Sequence, residues 1–334
     1  RVEAINFAMH DLELRDNPPA PDGNGPRTRP FDFQLKVHNQ SHPDIPKFVE
    51  RIRALTDQYP DRFTVAEVGG ADPDREMKAF TEGENHFNSA YGFDFLYADK
   101  LTPALIRDAL ESWPTEEGIG WPSWAFSNHD APRWISRWAP KGQEDAFARM
   151  ALLLLACLRG NIILWQGEEL GLTQVEIPFE KLQDPEAIAN WPLTLSRDGT
   201  RTPMPWVAQD EQGGFSTVEP WLPLGESNLA CAVDRQEKDA DSLLNLTRKL
   251  ITLRNTYPAL RNGGCDVVLA DANCIVFERT ADGERLTGIF NLSGDDIGWP
   301  EPVGQDGIEI ESVNRAAIGR LPPFGAILIK RGLQ

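Results

Sequence analysis

From the first residue to about position 170, short apolar runs alternate with longer stretches whose apolar residues recur every three to four positions. That alternation predicts βα units on a parallel sheet. Arg1-Val2-Glu3-Ala4-Ile5-Asn6-Phe7 is the first apolar run, with a charged pair set directly into it. The stretch from Asn17 to Pro30 is dense in turn formers, which predicts a functional loop over one face rather than a connector. Asp44-Ile45-Pro46 starts a helix with Phe48, Ile52 and Leu55 on one face, and Tyr59-Pro60-Asp61 stops it. Strands are predicted over 63–68, 123–128 and 161–166, and helices over 104–112 and 143–159, the second of these closed by Gly160. Residues 172–240, with many Pro and Trp, predict a long irregular excursion before a helix over 243–260. From Cys265 onward the period falls to two, and strands are predicted over 266–269, 274–279, 286–292, 308–312 and 326–330. The shift near Arg261-Asn262-Gly263-Gly264 divides the chain into domains over 1–261 and 262–334, the second a β-sandwich.

Composition narrows the class. With 334 residues, 41% of them hydrophobic and 25% charged, the chain has the make-up of a soluble globular protein with a core to bury. The longest apolar stretch, Met150 to Leu158, is far short of the ~20 residues that cross a bilayer, so it predicts a buried helix and no membrane partner. A net charge of −18 repels phosphate backbones and anionic lipid, which argues against nucleic acid as a partner. Neutral ligands such as sugars are compatible with it, although an acidic surface also serves simply for solubility. Cys157, Cys231, Cys265 and Cys274 show no CxxC and no metal-ligand spacing with the five histidines. A reducing, cytoplasmic setting is expected. Cys265 and Cys274 flank a turn, but the expectation is that they stay unpaired.

Three of the predicted strands end in an acid: Glu3, Glu67 and Asp130. A carboxylate in an apolar parallel strand is costly to bury and belongs at the C-terminal end, where barrels build their sites. One such acid is as readily a salt-bridge partner; three on successive strands point to a site. Without metal spacing or a phosphate loop, carboxylate pairs suit glycoside cleavage, in which one attacks and the other serves as acid and base. Arg1 lies two residues before Glu3, on the same side of a strand, where it can hold that carboxylate ionised. His129, beside Asp130, offers a ring N–H donor for a sugar hydroxyl.

Five strings in order resemble the motifs of the α-amylase family of glycoside hydrolases, in its α-glucosidase and oligo-1,6-glucosidase branch. They are Arg1-Val2-Glu3-Ala4-Ile5-Asn6-Phe7, Val65-Ala66-Glu67-Val68, Phe126-Ser127-Asn128-His129-Asp130, Gln166-Gly167-Glu168-Glu169 and Arg201-Thr202-Pro203-Met204-Pro205-Trp206. The resemblance runs through essentially the whole chain. It implies the C-terminal portion of a (β/α)8 TIM barrel, strands four to eight, followed by a small antiparallel all-β domain. The chain is then expected to begin within strand four, with the N-terminal barrel half supplied elsewhere, in the same or a separate polypeptide. The family's metal site lies in that other half, so no metal and no cofactor are expected here.

Position by position, the resemblance implies that Glu67 is the acid/base and Asp130 the transition-state stabiliser. It implies that His129 and Arg1 contact the first glucose or the nucleophile, and that Arg201 helps to recognise the non-reducing end. Glu168 and Glu169 are expected to be structural. Glu3 departs from the family, which has Asp at the nucleophile position. The extra methylene displaces the attacking oxygen by roughly 1 Å in a site where that can cost ~100-fold in rate. Glu3 is therefore either an Asp→Glu change that slows turnover or a natural variant. At Ala4 a small residue or Thr goes with α-1,4 linkages and Val with α-1,6, so the resemblance implies short α-1,4-glucosides such as maltose, with transglucosylation as a companion activity. The alternatives are a trehalose or sucrose isomerase, an oligo-1,6-glucosidase, and, in another class, a non-catalytic amylase-like binding domain.

Overall fold

A computed structural model describes residues 1–21, 30–70, 72–113, 120–194 and 196–332. Positions 22–29 of the expected functional loop lie outside the described residues. In chain order the elements are α1 (Ile45–Thr56), β1 (Val65–Glu67), α2 (Pro73–Ala79), β2 (Ser89–Tyr91), α3 (Pro103–Glu111), β3 (Ser123–Ala125), α4 (Trp134–Trp138), α5 (Glu144–Cys157) and β4 (Asn161–Ile163). After them come α6 (Pro185–Asn190), α7 (Glu226–Ala230), α8 (Val233–Gln236), α9 (Leu243–Thr256), α10 (Pro258–Arg261), β5 (Gly264–Ala270), β6 (Cys274–Ala281), β7 (Glu284–Asn291), β8 (Ile308–Val313) and β9 (Ala326–Arg331). The chain forms two compact units. One comprises Arg1–Phe93, Trp113–Ser123 and Pro178–Ser196, and the other Asp94–Ser112, Trp124–Ile177 and Arg197–Gln334.

In the first unit a parallel ladder grows in sequence order. Val2 bridges Ala66, β1 pairs with β2 from Val65↔Ser89 to Glu67↔Tyr91, and Ala90 bridges Pro122, all parallel. This is the βα alternation that the hydrophobic pattern predicts, with shorter strands: Phe63 is exposed and outside β1, and only Val2 of the opening run pairs. The buried face of α1 also differs from expectation. Ile45 and Val49 are buried, whereas Leu55 is exposed. The apolar residues of α1 span more than one face, so spacing alone does not choose which face is covered.

The second unit contains β4, the last two residues of its partner β3, α5 and the C-terminal sheet. Helix α5 is buried over ten of its fourteen residues, as its Met-Ala-Leu run requires. Two buried arginines satisfy the carbonyl groups at its end, which no later helical turn reaches. Arg254 donates to the carbonyl oxygens of Ala156 at 2.6 Å, Leu158 at 3.0 Å and Gly160, and Arg279 donates to that of Cys157 at 2.7 Å. Side-chain caps define other helix starts: Thr102 accepts from the Leu105 N–H ahead of α3, and Ser242 from Asn245 ahead of α9. The helix expected over 243–260 breaks at Tyr257-Pro258, where proline removes a donor.

Strands β5 to β9 form one antiparallel sheet in the order β5-β6-β7-β9-β8. Asp282 and Gly283, both at positive φ, make the two-residue turn between β6 and β7. Beneath the sheet, Val276, Ile289, Val303, Leu321, Ile327 and Ile329 form a buried apolar cluster. The four cysteines are free thiols. Among the described residues no helix is long and apolar enough to cross a membrane.

Candidate active site

In the first unit the ladder places Glu67 as the last residue of β1, directly beside Tyr91 at the end of β2. Glu67 is only 6% exposed, and its carboxylate is held from two sides. Arg1 donates from Nη2 to Oε2 at 2.9 Å, and the Tyr91 hydroxyl donates to Oε1 at 3.2 Å. The same Arg1 nitrogen lies 3.6 Å from Glu3 Oε1, and the Arg1 guanidinium sits 5.1 Å from the centre of the Tyr91 ring. Burial works against the charge of Arg1, but the Glu67 hydrogen bond and the surrounding negative groups together raise its pKa, so the clamp stays cationic. One guanidinium thus serves two carboxylates, one buried and one, Glu3, with a 59% exposed side chain.

Ala4, immediately after Glu3, adopts the left-handed backbone at φ 47°, ψ 43°. The short 3-10 turn Ile5–Phe7 follows it. Asn6, fully buried, ties this turn to the segment after β1. Its side-chain amide donates to the Gly69 carbonyl oxygen and, at 3.1 Å, to Glu76, whose other oxygen takes the Ser41 hydroxyl at 2.5 Å. Glu3 and Glu67 are therefore linked a second time, through the backbone that carries them.

In the second unit Asp130 lies five residues past the end of β3, in a bend rather than at a strand end. Asn128 shapes that bend by accepting the N–H groups of Asp130 and Ala131, each at 2.8 Å. Arg201 donates to Asp130 Oδ1 at 2.7 Å and from Nε to the His129 carbonyl oxygen at 2.7 Å. His129 Nε2 lies 3.2 Å from Asp130 Oδ2. Arg197 approaches the same carboxylate at 3.5 Å. The unit thus brings Asp130 and His129, which sequence reasoning paired, together with Arg201, whose acidic partner was expected in the other barrel half and which here pairs with Asp130.

Sequence reasoning missed Arg197, Tyr91 and Ser127. Arg197 and Tyr91 come from segments whose local patterns carry no sign of a site, although Tyr91 closes an apolar run, Ser89-Ala90-Tyr91, that reads as a strand. Ser127 lay inside a quoted motif, but only its contacts show what it does.

A family model described as "Alpha amylase, catalytic domain" matches residues 5–263. The chain belongs to the α-amylase family. A protein named "Probable alpha-glucosidase" from Rhizobium meliloti (strain 1021) is 38% identical over 88% of this chain and 54% of its own length. A "Probable oligo-1,6-glucosidase 2" from Bacillus subtilis (strain 168) is 28% identical over 79% of this chain and 53% of its own length. Among solved structures, the alpha-glucosyl transfer enzyme XgtA is 36% identical, with a TM-score of 0.89 over 98% of this chain and 63% of that one. The chain spans about half the length of the curated relatives it matches. Its fold is that of the α-amylase catalytic domain with a C-terminal antiparallel sheet of five strands.

Proposed function

We propose that this family member is a retaining, exo-acting α-glucosidase that cleaves short α-1,4-linked glucosides such as maltose and also transfers glucose. In this reading Glu3 attacks the anomeric carbon, Glu67 protonates the leaving oxygen and later activates water, and Asp130 with His129 and Arg201 stabilises the distorted ring. The observation that carries it is the Arg1 clamp, which puts one buried and one accessible carboxylate on a single guanidinium. That is what a mechanism needs when one acid must attack and the other must trade a proton. Residues 1–261 would be strands four to eight of the barrel with their helices, and 262–334 a β-sandwich domain. The partner is a neutral oligosaccharide, and no cofactor or metal enters the steps.

Glu at the attacking position makes hydrolysis slow, and likeness to an alpha-glucosyl transfer enzyme favours transfer as the second outcome of the same intermediate. The test is glucose release from maltose and an aryl α-glucoside by the chain, or by any longer polypeptide that carries it, before and after Glu67→Gln. The reading requires loss of at least about 100-fold on the substrate with the poorer leaving group. Equal rates for parent and variant would overturn it.

A further inference from the structure

The proposed reaction gives no task to Glu168, a buried acid beside the Asp130 bend. Glu168 opens the 3-10 turn Glu168–Leu170 and is 2% exposed. One of its carboxyl oxygens lies 2.5 Å from the Ser127 hydroxyl, and the other accepts the Trp165 N–H at 2.9 Å. Ser127, fully buried, also accepts the Trp134 N–H at 3.2 Å and directly precedes Asn128, which shapes the Asp130 bend. The Trp165 ring lies 6.1 Å from the His129 ring, and its Nε1 donates to the Thr200 carbonyl oxygen at 3.0 Å, one residue before Arg201. A single carboxyl group therefore holds the root of the Asp130 bend and the aromatic neighbour of His129.

We propose that Glu168 is a positioning residue for Asp130 and His129, and that its grip on Ser127 and Trp165 changes with its own protonation. The inference rests on the glucosidase reading for what the positioned residues do. Burial pushes the Glu168 carboxyl up to about 8, against the Ser127 and Trp165 hydrogen bonds and the charge of Arg133. The charged groups around it are Arg133 just before α4, Arg137 within α4 and Glu169 of its own turn. Arg133 is itself occupied with the Gln166 and Thr200 carbonyl oxygens, at 2.8 Å and 3.2 Å. Glu169 accepts the Gly167 N–H at 2.8 Å.

The two protonation states differ in one bond. With Ser127 Oγ donating to one Glu168 oxygen and the Trp165 N–H to the other, the ionised carboxylate accepts both bonds, whereas the neutral acid carries a proton on one oxygen and can turn the Ser127 bond round, at the cost of the bond Ser127 itself donates. Ionised Glu168 can only accept, so the Ser127 proton must turn toward it, and a buried charge appears that Arg133 offsets only in part. The pull on Arg133 and Ser127 reaches Asn128 and Thr200, the two groups that set Asp130 and Arg201. Glu168→Gln fixes the neutral pattern at every pH, because its amide donates where the acid proton did.

The experiment follows the His129 ring by NMR across pH 6 to 10, alongside kcat and KM, with the resonance assigned through a His129→Gln variant. In the parent the His129 signal shows an inflection near pH 8, and kcat declines above it by up to about tenfold per unit with KM little changed. Glu168→Gln removes both effects and keeps the neutral-pH rate. Ser127→Ala, which cannot relay the change, flattens the inflection as well. An inflection retained in Glu168→Gln, or absent from the parent, overturns the proposal. Coupling seen by NMR in a protein that never cleaves an α-glucoside sustains the link from Glu168 to His129 and refutes the glucosidase reading instead.

Discussion

Shortening Glu3 by one methylene tests where its carboxylate must stand. Glu3→Asp draws the carboxylate back along its stem by one carbon–carbon bond, about 1.5 Å. Two effects oppose each other. The 3.6 Å contact with Arg1 lengthens, but Glu3 is more than half exposed, and an ion pair of that kind contributes about 0–1 kcal/mol. Against this, if Glu3 is the attacking residue as proposed, restoring its oxygen by ~1 Å recovers on the order of 100-fold in rate, about 2.7 kcal/mol at 1.36 kcal/mol per tenfold. The second effect wins, so kcat on an aryl α-glucoside rises by about 50- to 100-fold. KM stays where it was, because Glu67, Asp130 and their clamps are untouched. Steady-state kinetics on both forms, with the burst phase recorded to separate attack from release, makes the comparison. A kcat that is unchanged or lower in Glu3→Asp would refute the argument that chain length at position 3 limits turnover.

Three further outcomes follow from individual contacts. Arg201→Ala removes a charge-assisted bond to Asp130 and a second bond to the His129 carbonyl oxygen; we expect about 1.5–3 kcal/mol of lost transition-state stabilisation, read as a ten- to hundredfold drop in kcat/KM, and an unchanged value sinks the pairing. Ala4 sits at positive φ, which β-branched side chains avoid, so Ala4→Val lowers stability by about 1–2 kcal/mol in urea unfolding, and equal midpoints would count against it. Glu168 has a folded-state pKa near 8, above its ordinary value of 4.5. The folded chain therefore keeps a proton that the unfolded chain releases between these values, and stability falls as pH rises from about 4.5 to 8, by up to about 1.4 kcal/mol per unit. Glu168→Gln flattens that fall, and an unchanged slope in the variant would contradict the assignment.

The C-terminal sheet is legible in sequence because each strand alternates and each turn is built from residues suited to it. All five strands expected there are present, with ends shifted by a few residues. The short parallel strands are less legible. β1 and β4 are three residues long, so Phe63 and Trp165, apolar and adjacent, read as strand but lie outside it. Helix α2 and strand β2 escaped notice because Asp72-Pro73-Asp74-Arg75 looks like a loop, whereas Asp72 in fact caps the helix by accepting the Arg75 N–H at 3.4 Å. Among the candidate residues, Glu67 is visible as an acid in an apolar run, and Asp130 through its neighbours Asn128 and His129. Arg197 and Tyr91 act through contacts that span many residues, and Glu168 looks like one acid of a pair until its burial is known. Such roles depend on which segments the fold brings together, and no local pattern encodes them.

The reading as a whole turns on two carboxylates working in succession on one anomeric centre. Proton NMR of an aryl α-glucoside digest in its first minutes, before the single glucose released equilibrates, reports which anomer leaves the protein. The account predicts α-glucose, the product of two inversions; β-glucose as the first product would contradict it.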